Sequence, residues 1–358
     1  MSKKIVLPIL LFVIAGLFAG FVLFNQSKSN KIKETESVVK DEDVLKGEVK
    51  RNKGLENEEE NRQEQEQKKL SSMAIEELQK ANFPGGDFNI EEELANGSNY
   101  KQYVVSYESE GLKIRGLLTE PLSPIPEDGY PGVVFVHGYI PPKQYSTVES
   151  YPTYQAALAR AGFVTFKPDL RGHGQSEGEP ASAHFSEKYL LDTLSAVAYL
   201  KKHDKVNSEK IGYWGHSNGG EIGLNAAVVN SDIKAYSLWA GVVGSYEDML
   251  ETYNEDIPFL QEKDHPVIQE NGLPSENNNF WKKIDAHYYL DNVSAPIQLQ
   301  HGSEDTSVPI ELSLSLKNKL EGANKEVEFF EYKGDDHNIS LNSDIAWQRT
   351  IDFFRENL

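Results

Sequence analysis

The chain contains no cysteine. That excludes disulfides, a thiolate nucleophile and cysteine-ligated metal together. Export without disulfides is compatible with it, but the absence assigns no compartment. Positive charge is the second shortage: 36 Lys and Arg stand against 56 Asp and Glu, for a formal net charge of −20. So acidic a chain repels phosphate backbones and anionic lipid headgroups, which argues against nucleic-acid binding and against membrane docking by surface charge. Long apolar runs are scarce too. The exception is Ile5 to Phe24, which holds no charged residue.

That run is about 30 Å long as a helix, the thickness of a bilayer core. Lys3 and Lys4 precede it and Lys28, Lys31 and Lys33 follow, so the charge bias is not one-sided, although the short tail 1–4 is the more natural cytoplasmic end. Phe21 stands where the lipidated cysteine of a lipoprotein box would be, which excludes lipidation there. We expect a retained signal anchor over 5–24, with the remainder outside the cytoplasm. A cleaved signal peptide ending near Ala19-Gly20 is the alternative. Residues 25–70 are dense in charge, as in Glu56-Asn57-Glu58-Glu59-Glu60, and poor in core-forming residues. Such a segment cannot offset the entropy of folding and reads as a disordered spacer.

The other residues are rich enough in apolar side chains (39% over the 358-residue chain) to build a sizeable core at 71–358. Ser71 to Lys80 reads as a capped helix. Tyr100–Tyr107 and Leu112–Thr119 alternate apolar and polar residues and predict an antiparallel pair turning at Glu110-Gly111. From Gly132-Val133-Val134-Phe135-Val136 onward, short buried strands alternate with helices. Strands are expected at 163–166, before Gly215, at 233–239, 297–300 and 327–332, with helices at 153–161, 189–202 and 345–354. This alternation predicts an α/β fold with a mainly parallel sheet covered on both faces. Residues 242–290 break the rhythm and are too long for a structureless loop. They read as a small helical insertion near the site, a candidate lid, with surface decoration as the alternative.

The organising stretch is Ile211-Gly212-Tyr213-Trp214-Gly215-His216-Ser217-Asn218-Gly219-Gly220. A strand, then G-x-S-x-G, then a helix is the context that a nucleophile elbow needs. An activated serine needs a base, and the base needs an orienting acid. Asp305 follows the strand at 297–300, with Glu304 beside it as the fallback acid. His337 follows the last strand. The order Ser217, Asp305, His337 is that of an α/β-hydrolase.

The motifs His137-Gly138-Tyr139, Asp169-Leu170-Arg171-Gly172-His173-Gly174, Gly215-His216-Ser217-Asn218-Gly219-Gly220, His301-Gly302-Ser303-Glu304-Asp305 and His337 make residues 100–358 resemble an α/β-hydrolase. The resemblance is greatest to the catalytic domain of the prolyl oligopeptidase family and its stand-alone esterase-like relatives. It implies that Ser217 attacks a carbonyl, His337 takes and returns the proton, and Asp305 orients His337. The backbone N–H groups of Tyr139 and Asn218 would then form the oxyanion hole. No cofactor is implied, and no histidine pair has metal-binding spacing. His137 is expected to support the oxyanion loop, His173 to brace a glycine turn, and His216 to point away from the reacting centre. Arg171 suits a buried ion pair better than an acidic substrate. Tyr139, Tyr145 and Trp239 are candidates for an acyl pocket or for the core.

The segment ahead of the hydrolase region leaves no room for the β-propeller of the larger peptidases. The expected activity is therefore a membrane-anchored serine hydrolase acting on small esters or short peptide-like amides. A true peptidase gated by 242–290 is one alternative, and a catalytically silent binding module is another. The oligomeric state is not encoded legibly.

Overall fold

The computed structural model describes residues 72–255, 257 and 265–358. The expected span at 5–24 and the charged spacer at 25–70 lie outside the described residues. Among the described residues, no helix is long and apolar enough to cross a membrane.

One nine-stranded sheet organises the domain. Strands β1 (Asn89–Glu93), β2 (Tyr100–Ser109) and β3 (Leu112–Pro121) form its antiparallel flank. The other strands are β4 (Tyr130–Val136), β5 (Val164–Pro168), β6 (Val206–His216), β7 (Ala235–Trp239), β8 (Ile297–Gly302) and β9 (Val327–Tyr332). Their order is β1-β2-β3-β5-β4-β6-β7-β8-β9. The sheet is parallel from β5 to β9, and β5 meets the flank antiparallel to β3. The fold is that of an α/β-hydrolase. Val133, Val134, Phe135 and Val136 of β4 are all fully buried, as a strand covered on both faces requires.

The β2–β3 hairpin turns at Glu110-Gly111, as the alternation predicted. Both residues have positive φ (50° and 76°), the geometry whose twist matches the flanking strands. β1 was not legible. Its sequence, Asn89-Ile90-Glu91-Glu92-Glu93, is exposed throughout and shows no buried face, and it is held by pairing with β2. Three adjacent glutamates also blunt this edge against pairing with another chain.

The helices are α1 (Ile75–Leu78), α2 (Pro152–Arg160), α3 (Lys188–Lys202), α4 (Asn218–Val229), α5 (Pro266–Asn271), α6 (Asn278–Ile284), α7 (Ile310–Gly322) and α8 (Ser343–Asn357). Of the helix expected over Ser71–Lys80, Ser71 lies outside the described residues, and the rest is interrupted at Ala74, whose ψ of 128° is extended, between helical Ser72-Met73 and α1. Ala74 occupies the N-cap of α1 and offers no side-chain acceptor to its first N–H groups. Within 242–290 lie a π-turn at Asp248–Thr252, α5, α6 and a 3₁₀ segment at Ala286–Asn292. The described residues of this segment are largely helical and contribute to a separate apolar cluster. Tyr246, Met249, Val267, Phe280, Trp281 and Ile284 pack together, joined by Leu312 of α7.

The chain reverses its direction of build-up at β4, with β5 on one side and β6 on the other. In open α/β sheets, ligands bind at such a switch point, beyond the carboxyl ends of the strands. His137, Ser217, Asp305 and His337 all follow the ends of β4, β6, β8 and β9.

Candidate active site

Ser217 follows β6 and stands at the N-cap of α4, with φ 55° and ψ −116°. A non-glycine residue there is strained by about 1–3 kcal/mol, so the surroundings must hold it. They do so with backbone hydrogen bonds. Ser217 N–H donates to the Trp239 carbonyl (3.0 Å), while the Ser217 carbonyl accepts from Gly220 (2.8 Å) and Val242 (3.1 Å).

The glycines around it are steric necessities. A Cβ on Gly215 would lie 2.3 Å from the Gly219 carbonyl oxygen, and one on Gly219 would lie 2.3 Å from that of Val136. Neither backbone atom can yield. One on Gly220 would lie 2.4 Å from the Gly241 Cα. Small residues therefore let the helix close onto the strand, and Ser217 is pushed to the mouth of a cleft.

That cleft has a volume of about 440 Å³ and is walled by Ser217, Asn218, Tyr139, His337 and His184, among others. Asn218 is the first residue of α4, and a backbone N–H at a helix N-terminus has no acceptor within the helix. Tyr139 is 70% exposed at the rim. Tyr145 and Trp239 are not in the wall. Tyr145 is buried against His137 (ring centroids 4.5 Å apart), and Trp239 is buried with its indole N–H on Thr350 Oγ1 (3.0 Å). Both belong to the core, which leaves Tyr139 as the one acyl-pocket candidate of the three at the cleft.

His337 lies in the loop after β9, and its Nδ1 is 2.7 Å from Asp305 Oδ2. Glu304, the alternative acid, is exposed to solvent. Burial pushes the Asp305 carboxyl up, yet hydrogen bonds from His301 and His337, the His337 charge and the Val308 N–H outweigh it. The group lies well below the usual carboxylate range. Oδ1 accepts from Ser307 and Val308 N–H at 2.8 and 3.0 Å. Oδ2 is shared with a second imidazole, His301, at 3.0 Å.

The sequence offers His301 only as part of a motif, and its contact with Asp305 is a tertiary fact. Its Nε2 also faces the Val308 carbonyl (3.0 Å), so this nitrogen carries the proton, and Nδ1 meets Ser313 Oγ at 2.8 Å. The His337 loop is held by carboxylates. Asp335, fully buried, accepts from Asp336 N–H, Leu341 N–H, Asn342 N–H and Asn342 Nδ2 at 2.8–3.2 Å. Asp336 accepts from Asn338 N–H, Ser340 N–H and Ser340 Oγ. A Cβ on Gly302 would lie 2.4 Å from the carbonyl oxygens of both aspartates, so the β8 and β9 loops are closely packed.

The other histidines take supporting places. His137 is buried, with Nδ1 on the Gly138 carbonyl (2.7 Å), and burial pushes its imidazole down to about 3. His173 packs edge-on between Tyr145 and Tyr189. His216, expected to point away from the reacting centre, instead lies in the cleft wall beside Ser217 and His337, with one ring nitrogen on Tyr151 and the other on the His337 carbonyl. Arg171 makes the expected buried ion pair: its Nε and Nη2 reach the two oxygens of Asp192 at 2.9 and 2.6 Å. His184, in the cleft wall, pairs with Glu221 on the first turn of α4 and carried no sequence signal. Among the described residues, no group of three or more His, Asp or Glu is arranged to hold a metal ion.

Comparison with known proteins places this arrangement in a family. The model described as Peptidase S9, the prolyl oligopeptidase family, matches residues 149–358. A Bacillus subtilis chain described as an uncharacterized peptidase, YtmA, is 30% identical over 233 residues, covering 64% of this chain and 83% of that one. The rat mitochondrial palmitoyl-protein thioesterase ABHD10 is 25% identical over 227 residues, covering 60% and 71% of the two chains. Among solved structures, Est1E from Butyrivibrio proteoclasticus with bound ferulic acid superposes with a TM-score of 0.54. It is 23% identical and covers 70% of this chain and 98% of its own. The chain is a serine hydrolase of the peptidase and esterase type, and it belongs to the prolyl oligopeptidase family.

Proposed function

We propose that Ser217, His337 and Asp305 are the catalytic triad of this hydrolase, and that it cleaves small carboxylic esters or short peptide-like amides through an acyl-enzyme. The observation that carries this reading is a strained Ser217 facing the same cleft as His337, whose Nδ1 lies 2.7 Å from a buried carboxylate. Ser217 Oγ attacks the substrate carbonyl carbon as His337 Nε2 takes its proton. The oxyanion that forms is met by the backbone N–H groups of Asn218 and Tyr139, aided by the positive end of α4. His337 then protonates the leaving alcohol or amine, and the carbon–oxygen or carbon–nitrogen bond breaks. Water, deprotonated by His337, releases the acid and restores Ser217. Asp305, held ionised by its hydrogen bonds, keeps His337 in the required tautomer.

The cleft volume suits a short acyl or acyl-aryl group rather than a folded polypeptide. The peptidase reading is favoured by the similarity to YtmA, and acyl transfer from sulfur or oxygen by the similarity to the thioesterase. We further propose that residues 5–24 anchor the protein in a membrane with the hydrolase domain outside the cytoplasm. Protease treatment of intact cells tests this: the domain should be shaved off, and its survival would sink the proposed orientation.

The chemistry is tested by comparing wild type with Ser217→Ala on short-acyl nitrophenyl esters and on aminoacyl and prolyl nitroanilides. We expect ester turnover to fall by at least about 10⁴-fold in the variant, with thermal unfolding nearly unchanged. Retained turnover would remove Ser217 from the mechanism. Efficient Ser217-dependent anilide cleavage would favour the peptidase.

A further inference from the structure

Three hydrogen bonds run in series beside Ser217. Gly138 N–H lies 3.1 Å from Tyr151 Oη, Tyr151 Oη lies 2.7 Å from His216 Nδ1, and His216 Nε2 lies 2.9 Å from the His337 carbonyl oxygen. The atoms fix the direction of each bond. A carbonyl oxygen only accepts, so Nε2 carries a proton. His216 is buried, and burial, with the nearby His337, pushes its imidazole down to about 3, so it is neutral and Nδ1 is an acceptor. Tyr151 must therefore donate to Nδ1, which leaves its oxygen to accept from Gly138. Every donor has one acceptor, and the series has a single polarity.

The ends of the series matter. Gly138 immediately precedes Tyr139 in the loop after β4, and His337 lies in the loop after β9. In the sheet these strands are separated by β6, β7 and β8, so no backbone pairing joins the two loops. The packing is close: a Cβ on Gly138 would lie 2.7 Å from Tyr151 Oη and 3.0 Å from both His216 Nδ1 and Ser217 Cβ. Tyr151 itself has positive φ (58°) at the start of α2, a strained conformation that its two polar contacts help to hold.

We propose that Tyr151 and His216 are positioning residues that hold the oxyanion loop and the His337 loop in one register around the nucleophile. The proposal rests on the triad reading above. Loosening the strut lets the oxyanion donor and the general base drift apart by fractions of an ångström. Such drift weakens the transition state far more than substrate binding.

The test uses the full-length protein as Tyr151→Phe, His216→Leu and His216→Gln, with Ser217→Ala as reference. Tyr151→Phe removes one oxygen and keeps a ring against Phe135 and Tyr154, so it reports even if His216→Leu fails to fold. We expect Tyr151→Phe and His216→Leu to lower kcat by roughly 10-fold to 100-fold, with KM within about twofold. The affinity for a trifluoromethyl ketone, which mimics the tetrahedral oxyanion, should fall in parallel with kcat/KM. Glutamine keeps both an acceptor oxygen and a donor N–H, so His216→Gln should recover most of what leucine loses. Unchanged kcat in Tyr151→Phe, a loss confined to KM, or glutamine no better than leucine would overturn the proposal while the triad stands. Turnover by Ser217→Ala would instead overturn the triad, and the strut with it.

Discussion

The turn at 215–220 and the loops at 302–309 and 334–342 frame the same cleft but are shaped by different forces. The turn at Ser217 is shaped by exclusion. Gly215, Gly219 and Gly220 each sit where a Cβ would lie within 2.4 Å of backbone. The loops carrying Asp305 and His337 are shaped mainly by attraction. Asp305, Asp335 and Asp336 accept a fan of N–H and O–H groups, most of them from their own loops. Steric exclusion is written in adjacent residues and cannot be met another way. A carboxylate receiving backbone N–H groups looks, in sequence, like any surface aspartate. That difference explains why the glycines of the turn at Ser217 can be read as steric requirements from sequence, whereas the acceptor roles of Asp335 and Asp336 cannot.

The comparison can be broken by experiment, and the largest effect belongs to the side that attracts. Asp305→Asn should lower kcat by roughly 10⁴-fold, because an amide presents an N–H toward the imidazoles of His337 and His301 and spoils the tautomer. Steady-state ester hydrolysis measures it, and a loss under tenfold would argue that Asp305 does not orient His337.

The two regions should then part in their response to small substitutions. Gly219→Ala is expected to cost about 3 kcal/mol or more, because the new methyl meets the Val136 carbonyl and backbone cannot step aside. Asp335→Ala strands the N–H groups of Leu341 and Asn342 and should cost about 2–4 kcal/mol. Asp335→Asn, which keeps an acceptor, should recover part of that, whereas no residue larger than glycine should rescue position 219. Urea unfolding reads all three. A tolerated Gly219→Ala would sink the claim that exclusion shapes the elbow.

The smallest effect is a slope in pH. The imidazoles of His137 and His216 are pushed down to about 3 by burial, from an ordinary 6.5. Between those values an unfolded chain binds protons that the folded chain refuses. This contribution is complete above pH 6.5 and is lost as pH falls toward 3, at up to about 1.4 kcal/mol per unit for each imidazole. His216→Gln should remove one imidazole's share from the slope of unfolding free energy between pH 6.5 and 4.5. An unchanged slope would mean that His216 titrates normally in the folded state.

Much of the architecture was legible beforehand. The fully buried β4, the hairpin at Glu110-Gly111 and the last strand at Val327–Tyr332 each carry a local pattern that only one structure satisfies. β1 was invisible because its glutamates have no buried face, and the helix expected over Ser71–Lys80 is broken at Ala74, where the backbone is extended. Tyr145 and Trp239 are large, aromatic and near the motifs, yet they pack inward. Nothing in composition separates an aromatic residue of the core from one of the cleft.

Sequence alone determined the elbow at Ser217, the chain order of the three polar residues, and Arg171 as a candidate for burial. Each depends on spacing within a few residues or on the succession of strands, and local sterics leave no second solution. The resemblance favours Asp305 over Glu304, and the tertiary structure supplies the contact, with Asp305 Oδ2 2.7 Å from His337 Nδ1 and Glu304 in solvent. Tertiary structure alone decided that His301 shares that carboxylate and that Tyr151 and His216 tie two distant loops together. Those contacts are made by side chains and loops beyond the strand ends, so their geometry exists only once β4, β6, β8 and β9 are assembled in one sheet.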